Sequence, residues 1–150
     1  MRDYAVHLLT ELLSIYSPSG KEEGISKFLA EEMERLGFCV QRDDVGNVIG
    51  EVGQGKPTIL LCGHMDTVAG CIPVRAQNNK LYGRGAVDAK TSLAAMIVTA
   101  HLLAKENFSA KILVVGVVDE EGSSRGIKHL VKKGLSADYA IFGEPSGVEK

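Results

Sequence analysis

Four short segments of this chain carry side chains that could bind metal ions. His64 and the pair Glu120-Glu121 each follow an apolar run, Asp88 follows a glycine-rich turn, and Glu144 lies beside Gly143. Imidazole and carboxylate groups are the ligands that zinc uses in hydrolytic sites, where two bound cations activate a water molecule. These residue types therefore indicate metal-dependent hydrolysis.

The hydrophobic pattern predicts an α/β fold, a mainly parallel, mixed sheet with helices on both faces. Predicted strands lie at 58–62, 111–118 and 139–142, with two antiparallel strands within 38–52 and a small hairpin around Asn78-Asn79. Predicted helices cover 3–15, 19–36, 89–105 and 123–133. Ligands in open α/β sheets bind beyond the carboxyl ends of the strands. We therefore expect His64, Asp88, Glu120, Glu121 and Glu144 to converge at one edge of the sheet.

Local signals predict how the second helix begins and ends. Ser19 and Glu22 have the spacing of a capping box, in which each side chain bonds a backbone N–H at the start of a helix. Gly37 is the expected C-terminal stop, because glycine readily adopts the left-handed conformation found there.

Three further residues near the candidate ligands have distinct expected roles. Asp66 lies two residues after His64, so its carboxylate can reach the second ring nitrogen and fix the tautomer. Cys62 falls within a buried strand and is expected in the core rather than in a thiolate site. Arg84 leaves two alternatives open: it binds a substrate carboxylate, or it anchors its own loop.

Composition restricts the possible functions. The 150 residues are enough for one domain and carry a formal net charge of −2, without the basic face that nucleic-acid binding requires. The apolar stretches are too short to span a membrane. Three cysteines, an odd number, give no disulfide framework, and we expect a cytoplasmic protein with reduced thiols.

The segments together resemble the zinc aminoacylase and carboxypeptidase-G-type metallopeptidase family, which includes acetylornithine deacetylase and succinyl-diaminopimelate desuccinylase. The resemblance runs from Ser17-Pro18-Ser19-Gly20 to Gly143-Glu144-Pro145. Ile72-Pro73-Val74-Arg75 and the stretch 81–90 are most similar to one branch, the lysine/ornithine hydrolases of carrier-protein-dependent lysine and arginine biosynthesis. That branch releases the amino acid from the C-terminal glutamate of an acidic carrier protein.

The resemblance implies two divalent metal ions, zinc or cobalt, as cofactors. Asp88 would bridge them, His64 and Glu144 would complete the ligands of one ion, and Glu121 would bind the other. Catalysis would fall to Glu120 as general base, with Asp66 orienting the metal-binding histidine.

Family members are longer than 150 residues. They carry a lid domain that forms a homodimer, and a return segment that supplies a second metal-binding histidine. We therefore expect residues 1–150 to be the N-terminal part of a catalytic domain, with protein ligands complete only at the His64–Asp88–Glu144 site. Such a chain is expected to be weakly active or inactive.

The sequence leaves other functions open beside this one. Within the same class, an acetylornithine deacetylase, a succinyl-diaminopimelate desuccinylase, or another aminoacylase or dipeptidase would act on a small acylated amino acid. A non-catalytic metal-binding module is the alternative from another class. A nucleotide-binding domain is disfavoured, because Gly83 and Gly85 do not follow a strand and open a helix as that motif requires.

Overall fold

The computed structural model describes residues 2–106 and 108–146 of the chain. Within them the helices are α1 (Arg2–Ser14), α2 (Glu23–Arg35), α3 (Lys90–Lys105) and α4 (Arg125–Lys132). The strands are β1 (Cys39–Arg42), β2 (Val48–Gly53), β3 (Thr58–His64), β4 (Arg75–Gln77), β5 (Lys80–Tyr82), β6 (Lys111–Val117) and β7 (Tyr139–Phe142).

Five strands form one sheet in the order β1-β2-β6-β3-β7, and β4 and β5 form a separate hairpin. Strand β6 is central: it runs parallel to β3 on one side and antiparallel to β2 on the other. Strand β7 is parallel to β3, and β1 is antiparallel to β2. The predicted α/β class with a mixed sheet is confirmed, with its pairings divided equally between parallel and antiparallel. The carboxyl ends of β3, β6 and β7 lie at one edge, where His64 pairs with Val117.

Helices cover both faces of the sheet, as predicted. Helices α1, α2 and α3 pack on one face around a large buried core, whose members include Leu29, Met33 and Ile97. Helix α4 packs on the other face, where Leu130 joins a smaller cluster with residues of β3 and β6. None of the helices in the described ranges has the length and hydrophobicity that a bilayer crossing requires.

Two local predictions are confirmed by backbone geometry. Helix α2 is capped at Leu36, and Gly37 follows it with a φ of +89°. In the β4–β5 hairpin, Asn78 and Asn79 have φ values of +51° and +57°. Asparagine tolerates this left-handed conformation better than most residues, which suits the tight two-residue turn.

The prediction of a capping box formed by Ser19 and Glu22 is wrong. Helix α2 begins at Glu23, and its N-cap residue Glu22 makes no side-chain capping bond. Gly20, with a φ of +83°, turns the chain between Ser19 and the helix. The Ser19 hydroxyl instead donates to the Asp66 carboxylate at 2.7 Å, because an ionised acceptor binds a hydroxyl more strongly than a neutral one does. Strand β3 is also longer than the predicted 58–62 and includes His64 itself.

A buried lysine ties the start of α3 to the end of α1. Lys90 is 1% exposed, and its ammonium donates to the backbone carbonyls of Leu12 at 2.9 Å and Ile15 at 3.0 Å. Carbonyls at the end of a helix have no partner within the helix, and the helix dipole favours a positive charge there. Because the last turn of α1 contains no basic residue of its own, Lys90 supplies that charge from α3.

Replacing Lys90 by methionine is expected to lower the free energy of unfolding by about 2 kcal/mol, because one buried and one part-buried carbonyl lose their donor. The matched control is K105M, which changes an exposed lysine of the same helix and is expected to cost no more than about 0.5 kcal/mol. Urea denaturation of both variants measures the difference. Equal stability of the two variants would show that the carbonyls find other partners.

Candidate metal centre

His64 is positioned by the end of β3, and its imidazole is fully buried. Its Nδ1 atom lies 2.9 Å from the backbone carbonyl oxygen of Asp66 and 3.5 Å from carboxylate atom Oδ1 of the same residue. The carbonyl is thus the nearer partner, whereas the sequence predicted the carboxylate. Both partners are acceptors and favour a proton on Nδ1, which leaves Nε2 as the nitrogen that can bind a cation.

Carboxylates from three separate segments of the chain surround Nε2 of His64. Asp88, directly before Ala89 and helix α3, places Oδ1 at 2.9 Å from Nε2 of His64. Glu144, two residues after β7, places Oε2 at 3.8 Å from the same atom. Glu121 follows β6, and one ligand atom each of His64, Asp88 and Glu121 lies within 4.8 Å of the others. The residues proposed as metal ligands from the sequence therefore come together in the structure.

The electrostatics of this cluster favour a positive charge. Burial acts to lower the pKa of His64, but Asp66, Asp88 and Glu144 outweigh it and raise that pKa to about 9. Burial, followed by the negative charge of Asp88, raises the pKa of Glu121. Burial also raises the pKa of Glu144, with neighbouring carboxylates adding to the effect. A divalent cation between these groups would relieve their mutual repulsion.

The donor set fits zinc or a related divalent ion. One imidazole nitrogen and several carboxylate oxygens are typical ligands of catalytic zinc. Cys62 does not join them as a thiolate: it is buried in β3, and burial raises the pKa of its thiol to about 12. The expectation that Cys62 belongs to the core agrees with its 3% exposure.

Two buried carboxylates hold the backbone of the loop after β6. Glu22 Oε1 accepts from the Asp119 backbone N–H at 2.9 Å. The two oxygens of Asp66 accept from the backbone N–H groups of Glu120 at 3.0 Å and Glu121 at 3.1 Å. Three consecutive N–H groups are thereby fixed by acceptors that lie far away in sequence. We call the carboxylates of Glu22 and Asp66 the cradle of this loop. By fixing the backbone, the cradle determines the positions from which the side chains of Glu120 and Glu121 extend.

The Asp66 carboxylate is held in its ionised form by the bonds it accepts. Burial acts to raise its pKa, but His64, the Ser19 hydroxyl and the loop N–H groups lower that pKa to about 2. Asp66 is completely buried, so an unpaired charge at this position would be costly. The roles of Ser19 and Glu22 in this arrangement were missed in the sequence, because their Ser-x-x-Glu spacing imitates a capping box.

The backbone of this loop adopts left-handed conformations that need support. Asp119 has a φ of +59° and Ser124 a φ of +57°. A Cβ atom at Gly122 would lie 2.3 Å from the Asp119 carboxylate, so a larger residue there would displace that side chain. The exposed Glu120 side chain belongs to the same loop, and its charge contributes to the raised pKa values of Glu121 and Glu144.

Asn47 anchors the other side of the loop, a role that was also missed in the sequence. Its Oδ1 accepts from the Val118 N–H at 3.0 Å, and its Nδ2 donates to the Gly126 carbonyl at 3.0 Å. Asn47 is fully buried, and Asp43 accepts a further bond from it at 2.7 Å. No local sequence signal distinguishes this role, since its partners are 71 and 79 residues away.

Residues 60–150 match the peptidase family M20/M25/M40. A Pyrococcus furiosus protein with the provisional name LysW-lysine/LysW-ornithine hydrolase is 52% identical over 144 residues, which are 95% of this chain and 41% of that protein. The LysW-lysine hydrolase of Deinococcus radiodurans is 42% identical over 146 residues, which are 95% of this chain and 40% of that protein. The chain thus spans about two fifths of the length of these curated relatives.

Solved structures show the same fold. Aminopeptidase PepT from Bacillus cereus matches with a TM-score of 0.84 and 26% identity, over 98% of this chain and 44% of that chain. The M20 family metallo-carboxypeptidase Sso-CP2 from Sulfolobus solfataricus matches with a TM-score of 0.82 and 24% identity, over 95% of this chain and 37% of that chain. These similarities confirm the predicted α/β fold.

Replacing Glu22 by alanine tests the cradle. The Asp119 N–H would lose its acceptor, so we expect the free energy of unfolding to fall by about 2 kcal/mol. Because Glu121 would be held less firmly, zinc affinity is expected to fall about 10-fold. Denaturation and zinc titration of E22A provide the two measurements.

The matched control is E22Q, which keeps an acceptor oxygen at the same position and is expected to retain most of both properties. Loss of stability in E22A with unchanged zinc affinity would mean that Glu22 supports the fold without positioning the site.

Proposed function

The chain belongs to peptidase family M20/M25/M40, and from this premise we propose that it is the metal-binding part of a hydrolase that cleaves amide bonds. The observation that carries the proposal is the convergence of His64, Asp88 and Glu121, whose ligand atoms lie within 4.8 Å of one another. These residues come from separate segments of the chain, and each is of a type that binds zinc in hydrolytic enzymes.

We assign the ligands of two divalent ions as follows. Asp88 would be shared by both ions, His64 and Glu144 would complete one site, and Glu121 would belong to the other. The distances from Nε2 of His64, 2.9 Å to Asp88 and 3.8 Å to Glu144, support their assignment to one ion. Zinc suits this mixed nitrogen and oxygen donor set, and cobalt accepts the same ligands.

Divalent cations held here would supply Lewis-acid chemistry, namely activation of a water molecule and polarisation of the scissile carbonyl. Glu120 acts as general base: its carboxylate accepts a proton from the attacking water and then donates it to the nitrogen of the leaving amine. The water oxygen ends on the acyl carbon as the amide C–N bond breaks. Asp66 keeps His64 oriented and holds the N–H of Glu120 throughout.

The substrate that the relatives favour is an amino acid linked through an amide bond to a carrier protein. Proteins named LysW-lysine hydrolase or LysW-lysine/LysW-ornithine hydrolase are 37–42% identical to this chain, and the provisionally named P. furiosus relative is 52% identical. We therefore propose that the whole protein releases lysine or ornithine from such a carrier in amino-acid biosynthesis. The whole enzyme would include segments beyond the two fifths of the relatives' length that this chain spans.

Calorimetric titration of the metal-stripped chain with zinc tests the metal assignment. One ion per chain should bind tightly, because only the His64–Asp88–Glu144 site has its expected protein ligands within this sequence. Binding should be lost in D88A and retained in D44A, a control that removes an exposed carboxylate outside the cluster. Two equally tight ions would contradict the incomplete second site. Absence of binding by a chain with a native circular dichroism spectrum would overturn the metal centre.

Turnover tests the reaction and its substrate. Zinc-loaded chain is offered a peptide whose C-terminal glutamate carries an amide-linked lysine, alongside N-acetylornithine and N-succinyl-diaminopimelate. We expect weak turnover of the peptide in preference to the two small substrates. Turnover should fall at least about 100-fold in E120Q, because the general base is lost, whereas zinc binding should stay unchanged. Preference for a small acylated amino acid would assign the enzyme to a different branch of the family.

A further inference from the structure

A cavity of about 250 Å³ lies beside the end of α1, and we call it the α1 cavity. None of the described residues that line it is acidic, and none is a candidate metal ligand. Two of the lining residues are cationic, namely Arg84 and Lys90. The apolar part of the wall consists of Leu13, Ile15, Ile72, Pro73 and Val74. The α1 cavity therefore combines positive charge with an apolar wall.

The ammonium of Lys90 is a buried charge that the protein balances only in part. Lysine is almost never fully buried without a partner of opposite charge, yet no carboxylate of the described residues lies within 4 Å of this ammonium. Its acceptors are the carbonyls of Leu12 and Ile15 at the end of α1, and a helix end carries only about half a negative charge. These two bonds use two of the three N–H donors of the ammonium. One donor and part of the positive charge are thus left for a ligand.

The Arg84 guanidinium brings a second positive charge to the same wall. Its Nε donates to the Gly70 carbonyl at 3.0 Å, which anchors the loop and uses only one of the five N–H groups. No carboxylate of the described residues lies within 4 Å of its nitrogens, whereas Arg35, Arg42 and Arg125 each have such a partner. Two cations that line one small space repel each other, and an anion between them would relieve that repulsion.

We propose that the α1 cavity binds a small monocarboxylate that carries an apolar group, at a site separate from the metal centre. The carboxylate accepts from the ammonium of Lys90 and from the planar fork of the Arg84 guanidinium, whose geometry suits a carboxylate. The apolar group packs against Leu13, Ile72 and Val74. At roughly 30 Å³ for each water-sized group, the cavity holds about eight non-hydrogen atoms, as many as 4-methylpentanoate has. The inference rests neither on metal binding nor on hydrolysis by this chain.

The cysteines of the chain provide a built-in test of where the ligand binds. Cys71 is exposed and lines the α1 cavity, whereas Cys39 is exposed on β1 and does not line it. Saturating 4-methylpentanoate should slow alkylation of Cys71 by iodoacetamide about 10-fold, because thiol reactivity depends on access. Alkylation of Cys39 should keep its rate, and mass spectrometry follows both thiols. An unchanged rate at Cys71, or equal slowing at Cys39, would overturn the site.

Calorimetry with and without zinc separates this site from the metal centre. The affinity for 4-methylpentanoate should be the same in the zinc-free and the zinc-loaded chain, because no candidate metal ligand lines the α1 cavity. Binding that occurs only in the zinc-loaded chain would assign the carboxylate to the metal ion and overturn the proposal.

The chemistry of the ligand is tested with three further probes. The uncharged 4-methylpentanamide should bind at least about 10-fold more weakly, because it lacks the charge that pairs with the two cations. Acetate should also bind at least about 10-fold more weakly, because it leaves the apolar wall uncovered. Inorganic phosphate should behave like acetate for the same reason. Equal binding of the amide would overturn the role of the cations, and equal binding of phosphate would overturn the carboxylate in favour of any small anion.

Variants test the two cations directly. R84Q and K90M should each lower the affinity for 4-methylpentanoate at least about 10-fold, because each removes a charge-assisted contact. The matched control is R75Q, which removes an arginine that does not line the α1 cavity, and it should leave the affinity unchanged. Since K90M is expected to be less stable, R84Q decides the outcome if K90M does not fold. Unchanged affinity in R84Q, or an equal loss in R75Q, would overturn the proposal.

Discussion

The architecture of the site depends on one buried, ionised carboxylate, that of Asp66. Its oxygens accept bonds from the Ser19 hydroxyl and from the backbone N–H groups of Glu120 and Glu121, and Oδ1 lies 3.5 Å from His64. Burial of a charge is tolerated only when enough donors replace the lost water. The loop after β6 and the segment before α2 must therefore both close on Asp66. The hydrogen bonds that satisfy this one charge also bring two residues towards His64. These are Glu120, the candidate catalytic base, and Glu121, a candidate metal ligand.

A second buried charge, on the ammonium of Lys90, performs a similar function on the other side of the site. It draws the end of α1 onto the start of α3, and Asp88 lies two residues before it. Burial lowers the pKa of Lys90 to about 8, and the nearby Asp66 charge opposes that effect. Because donors and acceptors converge on these two charges from distant segments, the chain around the candidate site is fixed by long-range bonds rather than by local turns.

The sequence predicted the parts of the fold that depend on local pattern. Apolar runs located β3, β6 and β7, and the rule that ligands bind beyond the carboxyl ends of strands placed His64 and Glu144 close together. No local sequence pattern indicates that β2 pairs antiparallel with β6. Ser19 and Glu22 show most clearly where prediction from local pattern fails, since their spacing is that of a capping box. Their actual partners, Asp66 and Asp119, lie 47 and 97 residues away, and only the closed fold brings these groups together.

The mutual repulsion of the clustered carboxylates opposes folding, whereas their attraction for His64 offsets part of that repulsion. Burial, together with the neighbouring carboxylates, raises the pKa values of Glu121 and Glu144, so each would ionise more easily in the unfolded chain. The fold tolerates this repulsion because the backbone of the loop after β6 is bonded to Glu22 and Asp66 independently of where the carboxylate side chains point. A cation entering the cluster would relieve that repulsion and would meet ligands that the fold has already brought together. The stability lost on folding around like charges would thus contribute to the affinity for a divalent ion, a trade between stability and function that preorganised sites commonly make.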